Sequence, residues 1–353
     1  MDKINEVAKE ILALDNKLLE KTQERLDNLT KPQGSLGRLE ELAKQIVGIT
    51  GKENPSFKNK AIFTLAADHG VTEEGVSAYP KEVTAQMIYN FLNGGAGINV
   101  LANYVNARVI VVDIGVASSL KPEPKLIIKK INYGTKNMSK GSAMTREEAI
   151  RAIETGIEIC ESEFKKGLDI VGIGEMGIGN TTAASAITAC ITQKPVEDTT
   201  GKGTGLDDKG LENKIKVIKK SLAINKPDPS DPIDVLAKVG GFEIGGLAGI
   251  ILAAAAKRIP VVIDGFIAGA AALIAYKIEP KTKNYMIAAH CSVERGHKII
   301  LEYIGLKALL DLDLRLGEGT GAALGINIVE AATKILTQMA TFKSAKVSER
   351  IDK

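Results

Sequence analysis

Polar residues follow five apolar segments of the chain, each of which has the composition of a buried strand. These segments cover residues 61–67, 108–112, 168–171, 260–263 and 285–289. They are followed in turn by Asp68-His69-Gly70, Asp113-Ile114-Gly115, a glycine-rich segment over 172–182, Asp264-Gly265 and His290-Cys291-Ser292. Asp and Gly also form ordinary turns. However, ligands of open parallel sheets bind beyond the carboxyl ends of the strands, so five such ends together favour a ligand site.

The glycine-rich segment over residues 172–182 has the composition of a phosphate site. Its glycines let the backbone approach a ligand, and a helix is predicted directly after them, over residues 181–191. Backbone N–H groups and the positive end of that helix favour a phosphate. Gly172-x-Gly174-x-x-Gly177 also matches the dinucleotide fingerprint of nicotinamide-dependent dehydrogenases, which is a second interpretation. Against it, the acidic residues about 20 positions further on lie in a loop and not at a strand end.

Two further glycine-rich loops, over residues 201–205 and 317–321, are flexible enough to wrap a ligand. In the second loop, Glu318 could have a raised pKa and act as a base. A solvated Glu318, held ionised by the neighbouring Arg315, is the alternative, and the residues alone favour it. Lys214 follows the first loop, on a helix predicted from about Asp207, and could reach a phosphate, although a surface lysine is the commoner explanation.

The composition argues against several classes of protein. Lys plus Arg total 46 against 43 Asp plus Glu, so the chain lacks the basic excess of a nucleic-acid binder. Aromatic residues make up only 4%, which disfavours base-stacking surfaces. The sequence predicts no metal site. Its three Cys lack C-x-x-C spacing, and its three His have no carboxylate placed to complete a set of metal ligands. The charged start of the chain and its short apolar runs predict a cytoplasmic protein with no membrane segment, since a membrane span needs about 20 apolar residues.

The elements that must position these residues are those of an α/β protein. Continuous apolar strands separated by helices predict a parallel sheet with helices on both faces. Helical periodicity predicts one helix within residues 2–29 and a second over residues 38–47. A last helix is predicted over residues 322–339. Both ends of the chain are therefore expected to be helical, and we expect them to meet as a small domain.

Five motifs, in order along the chain, resemble those of one enzyme family. They are Lys-Pro-Gln-Gly-Ser-Leu-Gly-Arg-Leu-Glu over 31–40, Ala-Asp-His-Gly-Val over 67–71, Gly-Glu-Met-Gly-Ile-Gly-Asn-Thr-Thr over 174–182, Asp-Gly-Phe over 264–266 and Leu-Gly-Glu-Gly-Thr-Gly over 316–321. Together they are similar to the nicotinate-nucleotide:dimethylbenzimidazole phosphoribosyltransferases, which activate the lower ligand of cobalamin. The resemblance covers nearly the whole chain. It implies a Rossmann-like parallel sheet in a large α/β domain over residues 51–321, a small helical domain from residues 1–50 and 322–353, and a homodimer.

The resemblance also implies roles for individual residues. Glu318 would be the general base, and Glu175 would face the ribose as a second catalytic carboxylate. The residues implied for phosphate and nucleotide binding are Gly177, Gly179, Asn180, Thr181, Gly203, Lys214, Asp264 and Ser292. The residues implied for the base pocket are Ser77, Tyr79, Pro80, Gln86 and Leu316. No metal ion and no other cofactor is implied.

The reaction that the resemblance implies transfers the 5-phosphoribosyl group of nicotinate mononucleotide to 5,6-dimethylbenzimidazole. Glu318 would take the ring N–H proton while the other ring nitrogen attacks C1′, with inversion to α-ribazole 5′-phosphate. The transition state would resemble an oxocarbenium ion. Because nicotinate leaves as an already cationic pyridinium, no metal is expected. Another benzimidazole, a purine or a phenolic acceptor is an alternative, and an NAD-dependent dehydrogenase is a more distant one.

Overall fold

The computed structural model describes residues 1–348, which form one six-stranded sheet surrounded by helices. The strands are β1 Lys60–Ala67, β2 Ala107–Gly115, β3 Leu126–Ile128, β4 Ile170–Met176, β5 Val261–Ile263 and β6 Met286–Ala288. The helices are α1 Asp2–Lys9, α2 Asn16–Asp27, α3 Arg38–Thr50, α4 Val83–Leu92, α5 Gly97–Tyr104, α6 Arg146–Lys165, α7 Asn180–Thr192, α8 Val196–Thr199, α9 Asp208–Asn225, α10 Pro232–Val239, α11 Phe242–Ala256, α12 Phe266–Ile278, α13 Arg295–Ile304, α14 Thr320–Gln338 and α15 Phe342–Ala345. Two short 3₁₀ helices cover Gly70–Glu74 and Pro280–Tyr285.

The strands are all parallel and lie in the order β3-β2-β1-β4-β5-β6. The central strand β1 pairs with β2 on one side and with β4 on the other. This is the doubly wound order of Rossmann-like folds. From β1 the chain adds β2 and β3 towards one edge of the sheet, and it then returns to add β4, β5 and β6 towards the other edge. The predicted α/β class is therefore confirmed, and the reversal between β1 and β4 marks the crevice where such sheets bind ligands.

Helices cover both faces of the sheet. Successive side chains of a strand point to opposite faces, and on β1 Leu65 lies against Gly246 of α11, whereas Ile62 lies against Gly319 at the start of α14. All eight residues of β1 are buried. A strand covered on both faces needs no polar face, which explains the continuous apolar runs in the sequence.

The first helix predicted within residues 2–29 is wrong, because this part of the chain forms the two helices α1 and α2. The Asp15 carboxylate accepts the backbone N–H groups of Lys17 at 3.0 Å and Leu18 at 3.4 Å. It therefore caps the N-terminus of a new helix, and the residues before it do not continue α1. Apolar periodicity alone does not reveal such a break.

Three strands differ from the prediction. Strand β2 continues to Gly115, so Asp113 lies within the strand and does not follow it. Strand β4 continues beyond Val171 to Met176, so Gly172 and Gly174 lie inside the sheet and not in a turn. Two glycines of the dinucleotide fingerprint therefore do not form the strand-to-helix turn that the fingerprint requires. The short edge strand β3 has no counterpart among the predicted strands, because three residues carry too little periodicity to indicate one.

The two ends of the described chain lie side by side. The N–H of Thr30 donates to the carbonyl of Ala340 at 3.0 Å, and the N–H of Phe342 donates to the carbonyl of Asn28 at 3.1 Å. Helix α14 packs on α3 and also on β4, β5 and β6. The division into a terminal domain and a central domain stays a prediction, and residues 349–353 of that terminal unit lie outside the described residues.

The longest apolar run in the sequence forms helix α11, whose residues 242–255 are buried against α6, α12 and the sheet. A core helix of this kind is apolar all round because protein surrounds it. Across residues 1–348, no helix combines the length and the apolar character needed to cross a membrane.

Candidate active site

A cavity opens beyond the carboxyl ends of β4, β5 and β6. It encloses about 780 Å³, including space open to solvent. The predicted site residues that line it are Glu175, Gly177, Gly179, Asn180, Thr181, Gly203, Lys214, Ser292, Ser77 and Leu316. The structure therefore brings together residues that are far apart in the sequence, at the strand ends where a ligand was expected.

The turn after β4 lines this cavity and leads into the N-terminus of α7. Gly179, with φ of 92°, is the N-cap of α7, and its side-chain position is occupied by neighbours, since a Cβ there would lie 2.8 Å from the Thr72 side chain. The first N–H groups of an α-helix have no partner inside the helix, and the positive end of its dipole attracts anions. The N-terminus of α7 at the cavity is therefore the part of this wall that favours an anion.

Lys214 supplies a buried positive charge beside this turn. It lies on α9, its side chain is fully buried, and its Nζ donates to Thr181 Oγ1 at 2.7 Å. The interpretation as a surface lysine is therefore wrong. Burial lowers the pKa of Lys214 to about 8, while the negative charge of Glu294 opposes that shift. A buried ammonium group of this kind gains stability from an anion bound in the cavity.

Glu175 lies at the end of β4 and is almost fully buried. Its Oε2 accepts a hydrogen bond from Asn180 Nδ2, which joins the strand end to the first residue of α7. Burial raises the pKa of Glu175 well above its ordinary value, and the carboxylates of Glu243 and Asp264 add to the effect. A positive charge that forms in the cavity would favour the ionised form of Glu175 and would be stabilised by it.

Glu318 precedes α14 and is only 5% exposed, so the interpretation as a solvated loop residue is wrong. Its Oε2 accepts the backbone N–H of Ile98, in the first turn of α5, at 3.1 Å. Burial raises the pKa of Glu318, the charge of Asp264 adds to the rise, and the Ile98 hydrogen bond opposes it. Arg315 does not pair with Glu318 and donates instead to the carbonyl of Gly203 at 3.1 Å. A fixed carboxyl group with a raised pKa suits a general base.

The segments that carry the two glutamates are in direct contact. The N–H of Glu318 donates to the carbonyl of Glu175 at 3.2 Å. A Cβ on Gly317 would lie 2.6 Å from Glu175 Oε1, and the φ of Gly317, 83°, is in the left-handed region that favours glycine. Gly317 and Leu316 also line the cavity, which places the Glu318 loop along its edge.

Some predicted site residues do not line the cavity, and these include Glu318, of whose loop only Leu316 and Gly317 do so. Asp264 is buried, and its two carboxylate oxygens accept the N–H groups of Gly319 at 3.2 Å and Ala322 at 3.1 Å, so it holds the start of α14. The predicted base-pocket residues outside the cavity are Tyr79, Pro80 and Gln86, all of them exposed. Their roles, and the nucleotide-binding role of Asp264, stay predictions.

Glu294 and Arg315 are among the cavity residues that the reasoning from sequence did not assign to the site. Glu294 is buried, and its Oε1 accepts the N–H of Gly203 at 2.9 Å, while Arg315 bonds the carbonyl of the same residue. Together they hold the loop over residues 201–205 beside Lys214. The position of Glu294 shortly after the polar end of β6 is the signal that could have indicated it.

The three histidines have structural partners. His69 Nε2 lies 2.6 Å from Glu243 Oε1, with both side chains buried. His290 and His297 pack edge to face with ring centroids 6.0 Å apart, and His297 Nδ1 accepts the N–H of Ser292 at 3.0 Å. Within residues 1–348, no group of three His, Cys, Asp or Glu side chains is arranged to hold a metal ion.

A family model and several relatives of known name match nearly the whole sequence. A family model described as phosphoribosyltransferase matches residues 11–347. A protein of Desulforudis audaxviator named nicotinate-nucleotide–dimethylbenzimidazole phosphoribosyltransferase is 56% identical over 349 residues, which is 99% of each chain. A protein of the same name from Geobacter metallireducens is 57% identical over 352 residues, covering both chains completely.

Solved structures agree with the sequence matches. The crystal structure of CobT from Thermus thermophilus has a TM-score of 0.92 and 44% identity, and the match covers 95% of this chain and 100% of that one. A second structure from this organism, named as a nicotinate-nucleotide–dimethylbenzimidazole phosphoribosyltransferase, has a TM-score of 0.91 and 43% identity over 96% and 100% of the two chains. The chain belongs to the nicotinate-nucleotide–dimethylbenzimidazole phosphoribosyltransferase family.

Proposed function

We propose that this enzyme transfers the 5-phosphoribosyl group of nicotinate mononucleotide to 5,6-dimethylbenzimidazole, giving α-ribazole 5′-phosphate and nicotinate, in assembly of the nucleotide loop of cobalamin. One observation supports this function above the others. The strand-end cavity has a buried cation and a helix N-terminus on one wall, and the loop of a buried carboxyl group with a raised pKa on another. The relatives named for this reaction, which match over nearly their full lengths, support the same conclusion.

We infer that the 5′-phosphate binds at the turn over residues 177–180. The N-terminus of α7, Lys214 Nζ and Thr181 Oγ1 converge there, and the loop that contains Gly203 lies beside them. A fixed phosphate holds C1′ at a constant distance from the base loop. Positioning two substrates in this way supplies a large part of the rate by proximity.

We assign Glu175 to the ribose and Glu318 to the acceptor base. As Glu318 takes the ring N–H proton, the lone pair of the other ring nitrogen forms the new bond to C1′. The bond from C1′ to nicotinate breaks at the same time, and its electron pair neutralises the pyridinium nitrogen. Attack opposite the leaving group inverts C1′, and Glu175 stabilises the positive charge that develops there.

We infer that the base pocket is completed by a second copy of the chain. Ser77 and Leu316 line the cavity, but Leu316 and the rest of the predicted pocket, including Tyr79, are exposed. Exposed apolar and aromatic side chains beside a cavity favour an interface. A homodimer measured by light scattering at working concentration supports this inference, and a monomer that retains full activity contradicts it.

We also retain the two-domain division, residues 1–50 with 322–353 against 51–321, as part of this proposal. The contacts between the chain ends, Thr30 to Ala340 and Asn28 to Phe342, support it. The three free thiols, Cys160, Cys190 and Cys291, agree with work in the reducing cytoplasm, where we place the enzyme.

Release of nicotinate from the mononucleotide tests the function directly. With dimethylbenzimidazole present, we expect nicotinate and a product with the mass of α-ribazole 5′-phosphate, and its α configuration can be read from the C1′ proton by NMR. Binding of NAD without any transfer would support the dehydrogenase instead. A competition among dimethylbenzimidazole, benzimidazole, adenine and a phenol, read by product mass, identifies the preferred acceptor.

Chelation of metal ions is expected to leave turnover unchanged. The leaving group carries its positive charge before the reaction, so its departure needs no Lewis acid. We therefore expect equal rates after exhaustive dialysis against EDTA and after dialysis against buffer alone. A rate that falls with EDTA and returns with added Mg²⁺ or Zn²⁺ would contradict this prediction.

A further inference from the structure

The backbone of Glu318 has an unusual conformation. Its φ is 65°, in the left-handed region that residues other than glycine seldom adopt. Such a conformation persists only where the surrounding structure holds it. Neighbouring groups must therefore hold the backbone of Glu318 in place.

Two neighbouring strands lie directly beneath Glu318. On β1, Thr64 is fully buried, and its Oγ1 donates to the carbonyl of Glu318 at 3.0 Å. On β4, the register partner of Thr64 is Gly174. A Cβ on Gly174 would overlap the Glu318 carbonyl group and the nitrogen of Gly319. One strand thus supplies a hydroxyl donor, and the other leaves room for the peptide to approach it.

The groups on either side of this carbonyl are also bonded. The N–H of Glu318 donates to the carbonyl of Glu175 at 3.2 Å, and the N–H of Gly319 donates to Asp264 Oδ2 at 3.2 Å. The Glu318 side chain reaches the N–H of Ile98 from this backbone position. The N–H and carbonyl of Glu318 and the N–H of Gly319 therefore all have partners, and Thr64 is the partner of the carbonyl.

We propose that Thr64 is a positioning residue for the reaction. Its hydroxyl holds the backbone of Glu318 in the left-handed conformation, which keeps the carboxylate on the N–H of Ile98, next to the cavity wall formed by Leu316 and Gly317. Without the hydroxyl, the buried carbonyl has no donor, and an unsatisfied buried acceptor is costly. The loop then relaxes, and the carboxylate moves away from its position. This inference rests on the proposed role of Glu318 as the general base.

Thr64→Val tests the proposal, because valine has the shape of threonine without the hydroxyl. We expect kcat to fall about 10- to 100-fold, the scale of a small displacement of a catalytic group. KM for nicotinate mononucleotide should stay within about twofold, since the phosphate site is not touched.

The pH dependence of kcat gives a second readout. The Ile98 hydrogen bond favours the ionised form of Glu318, so its loss raises the pKa of Glu318 and moves the acid limb of the profile to higher pH. The titratable groups that face Glu318 are Asp264, which pairs loosely with His290, and Glu175. All are left in place by the variant. A residue with only a structural role would lower thermal stability and leave this limb unchanged.

Three further variants complete the experiment. Thr64→Ser keeps the hydroxyl and should recover most of kcat. Thr64→Ala removes the hydroxyl without a branched side chain and is measured in parallel in case the valine variant does not fold. Thr188→Val is the matched control, because Thr188 is also fully buried and donates to a backbone carbonyl, that of Ala184 at 2.7 Å. We expect wild-type kcat from the control.

The outcomes separate the two proposals. A folded Thr64→Val or Thr64→Ala enzyme with wild-type kcat and an unchanged acid limb overturns the positioning role while the reaction stands. A loss of kcat that Thr64→Ser does not restore overturns it as well. A wild-type protein that releases no nicotinate overturns the proposed function, and the role of Thr64 with it.

Discussion

Glu318→Gln is expected to lower turnover at least ~100-fold, the usual scale for the loss of a general base. Glutamine has the same shape, and its carbonyl oxygen can still accept the N–H of Ile98, so the loop should keep its conformation. What it cannot do is take the proton of the acceptor base. The measurement is kcat from nicotinate release, with circular dichroism to confirm the fold.

The pH dependence of wild-type turnover should also show that Glu318 acts as a base. Burial raises the pKa of Glu318, and only its ionised form accepts a proton, so activity should rise as pH increases through that raised pKa. The rise should disappear in Glu318→Gln. Glu302→Gln, at an exposed position of α13, is the control and should retain wild-type turnover. Near-normal activity of Glu318→Gln would remove Glu318 from the role of base.

Lys214→Met is expected to raise KM for nicotinate mononucleotide about 10- to 100-fold, since a hydrogen bond to a charged group contributes roughly 1.5–3 kcal/mol. Methionine occupies the space of the aliphatic part of the lysine side chain but carries no charge. KM for dimethylbenzimidazole should change little, because that substrate has no phosphate. Steady-state kinetics with each substrate varied in turn separates the two effects.

The control for this variant is Lys216→Met, on the same helix but exposed to solvent. We expect wild-type constants from it. An equal rise in KM for both substrates of Lys214→Met would indicate a general distortion and would contradict the phosphate role.

Lys214 also predicts a pH dependence of substrate capture. Its pKa in the folded protein is lowered to about 8, so kcat/KM for the mononucleotide should fall as pH rises through that value. The effect on stability has the opposite direction. Below about pH 8 the folded protein buries a charged Lys214, which is unfavourable. Between about pH 8 and the ordinary pKa of 10.5, the unfolded chain binds more protons at Lys214 than the folded protein does, so the free energy of unfolding rises with pH. Lys214→Met should therefore have a higher Tm than wild type at pH 7.

Local patterns in the sequence predicted where a helix begins when a single strong signal, a cap or a glycine turn, marked its start. The cap at Asp207 starts α9, and the glycine turn before Asn180 starts α7, both close to the predicted positions. The prediction was wrong where two local signals compete. At Asp15 an N-cap interrupts a helical pattern, and at Gly172 a strand continues through residues that favour a turn.

The sequence by itself determined the family, the parallel sheet and the segments that carry the chemistry, because glycines, caps and apolar runs act over a few residues. It could not separate Lys214 from Lys216, or a solvated Glu318 from a buried one, since burial depends on what the rest of the chain packs against them. It also left Thr64 hidden in an apolar run. Its partners come from β4 and from the loop before α14, and only the order and register of the strands bring them together. Tertiary structure decided those pairings, and with them the pKa values on which the proposed reaction depends.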